Sequence, residues 1–321
     1  MGRKERKRIV DNQAALALLD KEHLTNEDIT FLKQSFSGIG GLTAGGWNNG
    51  QFFTPQNVAK FVVEMLDITG GRVLEPSCGS GAFIEHLPVT TEIVGVEMMR
   101  DAVRVAERCY PHTTIIHDDF FNVELPNGSF DAVIGNPPFG LKIGFDFACK
   151  KKLKSEAAFV ERSLHLLKPG GVLGMIVPDS LLGNSREQPW RRWVLENYRL
   201  LGVVSLPIET FYHVGTSVKT SFIMIQNDGM SKEERGNYNI FMAESKKIGW
   251  DKRGRSCGSD LNVILATFRE MRSTSIVQDI EPMIINEEPE KLVSDVILHT
   301  MSIPNTPDEL VLEKNGQYAL F

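Results

Sequence analysis

A stiff tetrapeptide with a polar first residue follows one of the apolar segments of this chain. Residues 131–135, DAVIG, are typical of a short buried strand, and Asn136-Pro137-Pro138-Phe139 follows them directly. Each proline lacks a backbone N–H group and has a fixed φ, so the strand ends there, and the residue before a proline is kept extended. The sequence therefore predicts an amide, two prolines and an aromatic ring held rigidly at the carboxyl end of a strand.

This arrangement suits the activation of an exocyclic amine on a purine, whose lone pair is delocalised into the ring. The side-chain carbonyl of Asn136 and the main-chain carbonyl of Pro137 would accept hydrogen bonds from both N–H groups and leave the nitrogen lone pair pointing outward. Fixed dipoles of this kind lower a barrier because they need no reorganisation during the reaction. Phe139 would lie flat against the base, and a sulfonium methyl donor would need neither a metal nor a covalent protein intermediate.

A glycine-bearing turn predicts a second part of the site. Residues 73–83, VLEPSCGSGAF, are typical of a strand, a tight turn and a helix start. Gly79 and Gly81 allow the backbone to approach a ligand closely, and the first N–H groups of a helix can receive a carboxylate or a phosphate. A tight strand-to-helix turn without a ligand is an equally good interpretation of this stretch alone.

Acidic residues at the ends of the next two strands predict a seat for a nucleoside. Glu97 suits two ribose hydroxyls, and Asp119-Phe120 suits an adenine amine and an adenine face. A nicotinamide dinucleotide would satisfy these features too, but it explains neither the double proline nor Pro76.

Alternating strands and helices must position these residues. The predicted strands are residues 72–75, 92–97, 113–117, 130–135, 171–177, 200–205 and 219–226. The predicted helices are residues 81–86, 99–109, 156–167 and 187–197. This alternation favours a mainly parallel, doubly wound α/β sheet, in which ligands bind beyond the carboxyl ends of the strands.

Composition and charge narrow the function classes. The chain of 321 residues is 42% hydrophobic and 24% charged, which is ordinary for a globular protein. Its four cysteines form no C-x-x-C pair, which argues against a disulfide framework and a zinc site. No apolar run is long enough to span a membrane and no signal-peptide pattern is seen, so we expect a cytoplasmic protein with no membrane or metal partner.

Three regions are predicted along the chain. Residues 1–45 form an amino-terminal helical segment, in which Thr25-Asn26-Glu27-Asp28 begins a helix and a glycine-rich loop follows. Residues 46–227 form the catalytic domain. Residues 228–321 form a carboxyl-terminal extension or small subdomain, which is too short and too acidic toward its end to be a full target-recognition domain.

These motifs together resemble the S-adenosylmethionine-dependent amino-methyltransferases of DNA, in the group that includes the modification subunits of type I restriction systems. The resemblance covers about residues 35–255 and rests on GQFFTPQNVAKFVVEML, VLEPSCGSGAF, VGVEMM, HDDFF and NPPF in this order. The order is that of the gamma class. The resemblance implies a Rossmann-like class I methyltransferase fold with a seven-stranded sheet and a late β-hairpin. It also implies methylation of the N6 amine of adenine in double-stranded DNA, in a restriction-modification, phage or mobile-element context.

The resemblance assigns roles to individual residues. The residues implied for binding S-adenosyl-L-methionine are Thr54, Pro55, Glu75, Pro76, Ser77, Gly79, Gly81, Glu97, Met98, Asp119 and Phe120. The residues implied for catalysis are Asn136, Pro137, Pro138 and Phe139, where Phe139 replaces the tyrosine usual in the family. Residues 211–225 resemble the late hairpin from which an aromatic residue stacks on the flipped-out target base, and we favour Phe211 over its neighbour Tyr212 for that role.

Other chemistries remain open at this point. An N4-cytosine methyltransferase uses a similar site but usually has serine in place of Asn136. Protein glutamine N5-methyltransferases also carry Asn-Pro-Pro, but they lack a Thr-Pro segment and a base-stacking hairpin like those predicted in this chain. A C5-cytosine enzyme needs a cysteine after a proline, and none of the four cysteines follows one. A donor-binding subunit without catalysis is disfavoured because every residue that the chemistry needs is present.

The net charge of −6 gives no overall attraction for a polyanion, so contact with DNA depends on local basic patches or on a partner such as a separate specificity subunit. Basic clusters occur at residues 150–154, 186–193 and 246–255. A solvated charged face is the default interpretation of each. We favour the second cluster for phosphate contact because its arginines are mixed with tryptophans.

Overall fold

The seven segments predicted as strands all form strands, and they pair into one sheet. The structure is a computed structural model that describes residues 3–36, 53–148, 151–214, 217–277 and 297–302. The strands are β1 Gly71–Glu75, β2 Thr91–Glu97, β3 Thr114–His117, β4 Phe130–Gly135, β5 Lys142–Gly144, β6 Lys152–Lys154, β7 Leu167–Pro178, β8 Arg199–Leu206, β9 Thr220–Gln226, β10 Asn239–Glu244, β11 Ile248–Trp250, β12 Ser256–Ser259 and β13 Ile297–Ser302.

Helices connect these strands. They are α1 Arg3–Leu18, α2 Asn26–Ser35, α3 Gln56–Leu66, α4 Arg100–Cys109, α5 Ser155–Leu166, α6 Asp179–Gly183, α7 Gln188–Asn197, α8 Lys232–Arg235 and α9 Leu261–Val277. Short 3-10 helices occupy Ile84–His86, Ser185–Glu187 and Ile208–Val214. In the described residues, no helix is both long enough and apolar enough to cross a bilayer.

The main sheet has the order β3-β2-β1-β4-β7-β9-β8-β10-β13. The predicted count of seven strands is therefore wrong, because β10 and β13 extend the sheet to nine strands within the described ranges. β10 pairs in parallel with β8, and β13 pairs antiparallel with β10.

Strand direction determines which loops lie together. β1, β2, β3, β4 and β7 are parallel, β9 is antiparallel to both β7 and β8, and β10 is parallel to β8. β8 and β10 therefore run in the same direction as β4. Their carboxyl ends share one edge of the sheet, which we call the carboxyl edge: it is formed by Glu75, Glu97, His117, Gly135, Pro178, Leu206 and Glu244 and the loops that follow them.

Apolar side chains cover both faces of the sheet. One core cluster joins the sheet to α5 and α7, and the second joins it to α3 and α9. A third, smaller cluster packs α1 and α2 against α4. The predicted helix start at Thr25 is confirmed, since Thr25 caps α2 and forms a reciprocal capping box with Asp28.

Two predicted elements differ from the structure. The helix expected at residues 81–86 is a tight turn followed by the 3-10 helix Ile84–His86, because Gly81 has φ +90° and Pro88 follows closely. No long helix amino terminus therefore faces a ligand at this turn. The late hairpin is present as β8 and β9, but its connection carries the 3-10 helix Ile208–Val214 rather than strand. The glycine-rich loop expected after α2 and the acidic stretches near the carboxyl end lie outside the described residues.

Candidate active site

A pocket that is open to solvent lies at the carboxyl edge next to the ends of β1, β2 and β4. Most of the residues predicted for donor binding or catalysis line it: Thr54, Glu75, Pro76, Ser77, Gly79, Glu97, Met98, Asp119, Phe120, Asn136 and Pro138. The fold therefore brings residues more than 80 positions apart in the sequence into one cavity. That gathering follows from parallel strands whose carboxyl ends meet at one edge.

Four predicted residues are not among those that line the pocket. Pro55 precedes the first residue of α3, and Pro137 is buried. Phe139 is half-buried and packs against the core cluster on the α3 side of the sheet. A Cβ on Gly81 would lie 2.4 Å from the Tyr110 ring, so glycine is needed at this position for packing and for its positive φ. The roles of Pro137 and Phe139 toward a target base stay predictions.

The preference for Phe211 as the base-stacking residue is not supported by its position. Phe211 has 0% exposure and is part of the core cluster that contains α3, so it cannot stack on a base without repacking that core. Its neighbour Tyr212 is 44% exposed on the same 3-10 helix. Of the two residues, only Tyr212 is accessible to an incoming base.

Glu97 ties the end of β2 to the glycine-bearing turn. Its Oε2 accepts the N–H of Gly79 at 2.9 Å, and its Oε1 accepts the N–H of Met99 at 2.7 Å. The side chain is 7% exposed, and this burial raises the pKa of Glu97 despite the backbone hydrogen bonds that lower it. The carboxylate is therefore held in one orientation at the pocket wall, beside Met98, which is exposed.

Glu75 ends β1 as a deeply buried acid. It is 1% exposed, and its Oε2 has no hydrogen-bond partner among the described residues. Burial, and secondarily the charge of Glu97, raises the pKa of Glu75 well above its ordinary value. A buried carboxyl group without a partner is costly, so this group favours a ligand that brings a hydrogen-bond donor or a positive charge.

Asn136 is positioned by two neighbouring loops. Its Nδ2 donates to the Oγ1 of Thr54 at 3.1 Å, and its main-chain oxygen accepts from the Oγ of Ser77 at 3.2 Å. Thr54 is 9% exposed. Because the amide nitrogen donates a hydrogen bond to Thr54, the side-chain oxygen of Asn136 lies on the other side of the amide group.

The loop after the tetrapeptide is fastened to the first turn of α5. The buried Glu156 accepts the N–H of Gly140 at 2.8 Å, and the Oγ of Ser155 accepts the N–H of Leu141 at 3.1 Å. Sequence reasoning did not assign these two residues. They fix the chain directly after Phe139, so the tetrapeptide is held at both of its ends.

Aromatic residues form the adenine side of the predicted site. Phe120 is buried, packs 5.1 Å from the Phe159 ring between centroids, and carries the Arg162 guanidinium 4.7 Å above its ring. Asp119 accepts the N–H of Phe121 through Oδ1 at 3.0 Å. The Asp-Phe pair is therefore rigid, which suits recognition of a flat base.

Several pocket residues were missed by sequence reasoning. These are Phe53, Cys78, Ala82, Phe83, Met99, Asp118 and Phe159. Asp118 precedes Asp119 at the same strand end and was within reach of the strand-end argument. Phe53 directly precedes Thr54 in the motif GQFFTPQ and was within reach of that motif. Phe159 comes from α5, and no local pattern connects it to the pocket.

The charge of the pocket distinguishes between cofactor classes. Among the described residues that line it, the acidic side chains are Glu75, Glu97, Asp118 and Asp119, and lysine, arginine and histidine are absent. Such a pocket repels a pyrophosphate and attracts a cation. This finding argues against the nicotinamide dinucleotide. In the described part of the chain, no group of three or more His, Cys, Asp or Glu could hold a metal ion.

Comparison with known proteins adds an independent result. The sequence profile of the family described as N-6 DNA Methylase matches residues 42–280. The chain belongs to the N-6 DNA Methylase family. The profile extends past the region of about residues 35–255 expected from the motifs and includes β10 to β12 and α9.

Curated proteins to which the chain is similar are longer than the chain. It is 30% identical over 236 residues to the Defense against restriction protein B of Escherichia phage P1, covering 70% of this chain and 10% of that protein. It is 25% identical over 211 residues to the methylase subunit of the type I restriction enzyme MjaIX of Methanocaldococcus jannaschii, covering 54% of this chain and 37% of the subunit. The chain therefore spans well under half of these curated relatives.

A solved structure agrees on the fold. The methyltransferase subunit of a type I restriction-modification system from Streptococcus thermophilus superposes with a TM-score of 0.57 at 20% identity, over 76% of this chain and 59% of that one. At this identity the likeness concerns the fold alone. This N-6 DNA Methylase family member thus has the predicted Rossmann-like class I methyltransferase fold, with the enlarged sheet described above.

Proposed function

We propose that this protein transfers the methyl group of S-adenosyl-L-methionine to the N6 amine of adenine in double-stranded DNA, in a restriction-modification, phage or mobile-element context. One observation carries the proposal: an acidic, partly aromatic pocket opens beside a fixed asparagine amide at the same strand edge. The family match and the type I methylase relative support the same activity, and the phage relative supports the phage context.

The donor fits the pocket on the chemistry of its lining. The unpartnered, buried Oε2 of Glu75 matches a cationic or hydroxyl-bearing ligand, and the lack of basic lining residues matches one without phosphates. Glu75 and Glu97 would hold the polar parts of the donor, and Asp119 with Phe120 would hold its adenine. S-adenosyl-L-methionine supplies an electrophilic methyl group on a sulfonium when bound.

The protein's own residues then act on the target amine. The side-chain oxygen of Asn136 accepts a hydrogen bond from one N–H group, and the main-chain oxygen of Pro137 accepts one from the other. These bonds favour a tetrahedral nitrogen whose lone pair points at the methyl group. Thr54 fixes the rotation of the amide, and the proton released by the amine leaves to solvent. Tyr212 stacks on the base once it has left the duplex.

Asn136 favours adenine over the alternatives. N4-cytosine methyltransferases usually carry serine there, and the C5 reaction needs a nucleophilic thiol. Burial raises the pKa of Cys78, the described cysteine that lines the pocket, well above its ordinary value, so its thiolate is disfavoured.

The proposal also concerns a partner. The chain spans a minor part of its curated relatives, and no complete target-recognition domain was predicted in it. We therefore propose that target choice comes from a separate specificity subunit or from further sequence.

The test compares Asn136→Ala, Asn136→Asp and the control Asn197→Ala, an exposed amide at the end of α7. Donor binding should be unchanged in all three. Methyl transfer to duplex DNA should fall about 100- to 1000-fold in Asn136→Ala, by analogy with removal of one preorganised hydrogen-bonding group. Asn136→Asp keeps an acceptor and should retain part of the activity, and Asn197→Ala should match wild type.

Mapping the methylated bases completes the test. Wild-type turnover in Asn136→Ala, or methyl groups on cytosine N4 or on protein, would refute the proposed reaction. Methylation confined to one long sequence motif by the isolated chain would refute the proposed partner.

A further inference from the structure

A basic hairpin projects from the carboxyl edge beyond β10. It comprises residues 246–259, with β11 and β12 paired antiparallel. The first ten of these residues hold five cations and a single carboxylate, in a chain whose net charge is −6. The cationic residues Lys246, Lys247, Lys252, Arg253 and Arg255 are all exposed.

The turn of the hairpin is shaped to present its cations. Asp251, the single carboxylate, accepts the N–H groups of Arg253 and Arg255 at 2.9 Å each and pairs with the Arg255 guanidinium. Gly254, with φ +74°, completes the turn. The Asp251 carboxylate is therefore used within the turn, and Lys252 and Arg253 lie at its tip. Lys252 Nζ lies 3.8 Å from Glu209 Oε1, and its side chain is 67% exposed.

The base of the hairpin is anchored to the body of the protein. Ile248 is fully buried in the core cluster with α3 and α9. The buried Asp260 accepts the N–H groups of Lys246 and Lys247 at 2.7 and 3.2 Å and the Ser245 hydroxyl at 2.6 Å. A charged loop held this firmly keeps its cations in a defined place.

Two of the anchors come from the segments that carry the active site. Asn57 lies three residues after Thr54, and its Nδ2 donates to the main-chain oxygen of Ile248 at 2.7 Å. Glu209 lies three residues before Tyr212, and its main-chain oxygen accepts a hydrogen bond from the Nε1 of Trp250 at 2.9 Å. The hairpin is thus bonded both to the segment that positions Asn136 and to the one that exposes Tyr212.

Part of the basic cluster favoured from the sequence, residues 186–193, has a structural role, whereas its Arg186 and Arg192 are exposed. Trp190 is buried in the core, and the Arg191 guanidinium is buried and donates to the main-chain oxygens of Leu181 and Asn184. These hydrogen bonds hold α6 and the residue after it to α7. A phosphate cannot reach Trp190 or Arg191 without unfolding that contact.

We propose that the basic hairpin is a backbone clamp for the DNA duplex, in which Lys252 and Arg253 contact phosphates next to the target base. This inference rests on the proposed function. Exposed cations at fixed positions neutralise phosphates and release counterions, which supplies affinity without reading sequence. In an acidic protein the clamp places positive charge beside the site where the base must leave the stack.

The experiment measures the salt dependence of binding to a fluorescent duplex. The variant Lys252→Gln/Arg253→Gln should bind more weakly, and the slope of log K against log salt should fall by about 2, since each phosphate contact contributes about 0.9. The control Lys232→Gln/Arg269→Gln removes the same charge from α8 and α9, away from the hairpin, and should leave the slope unchanged. The swap Lys252→Arg/Arg253→Lys keeps the charge and should also keep the slope.

Donor affinity serves as the folding control for every variant. If wild type methylates duplex DNA but the Gln variant keeps the wild-type slope, the clamp is refuted and the proposed function stands. If wild type neither binds nor methylates duplex DNA, the proposed function is refuted and the clamp with it. An equal loss of slope in the control would also refute the clamp, because the effect would then follow net charge alone.

Discussion

Thr54→Val tests whether the Asn136 amide, which we propose to be catalytic, is oriented by a hydroxyl from the segment before α3. Valine has nearly the same shape as threonine but cannot accept the hydrogen bond that Asn136 Nδ2 makes to Oγ1 at 3.1 Å. The resemblance assigned Thr54 to donor binding, whereas the structure bonds it to Asn136. The two roles predict different kinetic changes.

The size of the effect follows from the bond that is lost. A neutral hydrogen bond contributes about 1 kcal/mol net, and leaving its donor unsatisfied costs about 1–3 kcal/mol. If about 1–2 kcal/mol of that loss raises the activation free energy of methyl transfer, kcat falls about 5- to 30-fold, because 1.4 kcal/mol corresponds to a tenfold change in rate. Donor affinity should stay close to wild type.

The assay is single-turnover methyl transfer with saturating donor and duplex DNA, together with calorimetric titration of the donor. Thr54→Ser keeps the hydroxyl and should restore most of the rate, which a role in packing alone would not predict. An unchanged kcat with a raised donor Kd in Thr54→Val would return Thr54 to the donor-binding role. A Thr54→Ser variant as slow as Thr54→Val would show that the hydroxyl does not orient the Asn136 amide.

Two further predictions concern the donor pocket and the target base. Glu75→Gln should weaken donor binding yet stabilise the donor-free protein. Burial raises the folded-state pKa of Glu75 above its ordinary 4.5, so wild-type stability is fully present below that pH and is lost as pH rises, by up to about 1.4 kcal/mol per pH unit. A Tm difference between the two proteins that does not grow between about pH 4.5 and neutrality would contradict this prediction. Tyr212→Ala should lower transfer to a paired target more than to a mismatched one, because stacking of about 1–3 kcal/mol offsets base extrusion. Equal losses on both DNA substrates for Tyr212→Ala would contradict the proposed base-stacking role of Tyr212. Phe211→Ala should instead lower the free energy of unfolding by about 3–5 kcal/mol.

The parts of the site that lie at strand ends could be predicted from the sequence. Glu75, Glu97 and Asp119 each follow a short apolar run, and parallel strands bring such ends together whatever the helices between them do. Asn136 was predictable for the same reason, with the prolines marking where its strand stops. These predictions depend on local pattern and on one rule of sheet topology.

The parts that depend on packing could not be predicted in this way. Phe211 and Tyr212 are adjacent aromatics with the same propensities, and only the phase of the 3-10 helix decides which one enters the core. Arg191 looked like a phosphate contact because an arginine beside tryptophans has no sequence signal for burial. The basic hairpin was interpreted as solvated because its anchors, Asn57 and Glu209, are 191 and 41 residues from their partners.

One short segment before and at the start of α3 contacts all three functional parts. A Cβ on Gly79 would lie 3.2 Å from the Phe53 ring, so Phe53 packs tightly on the donor turn. Thr54 bonds to Asn136, and Asn57 bonds to the hairpin at Ile248. Because these five consecutive positions contact the glycine-bearing turn, Asn136 and the basic hairpin, a large substitution among them would disturb all three at once. Only replacements that remove a single hydrogen bond, such as threonine to valine with serine as its control, can assign a function to one contact.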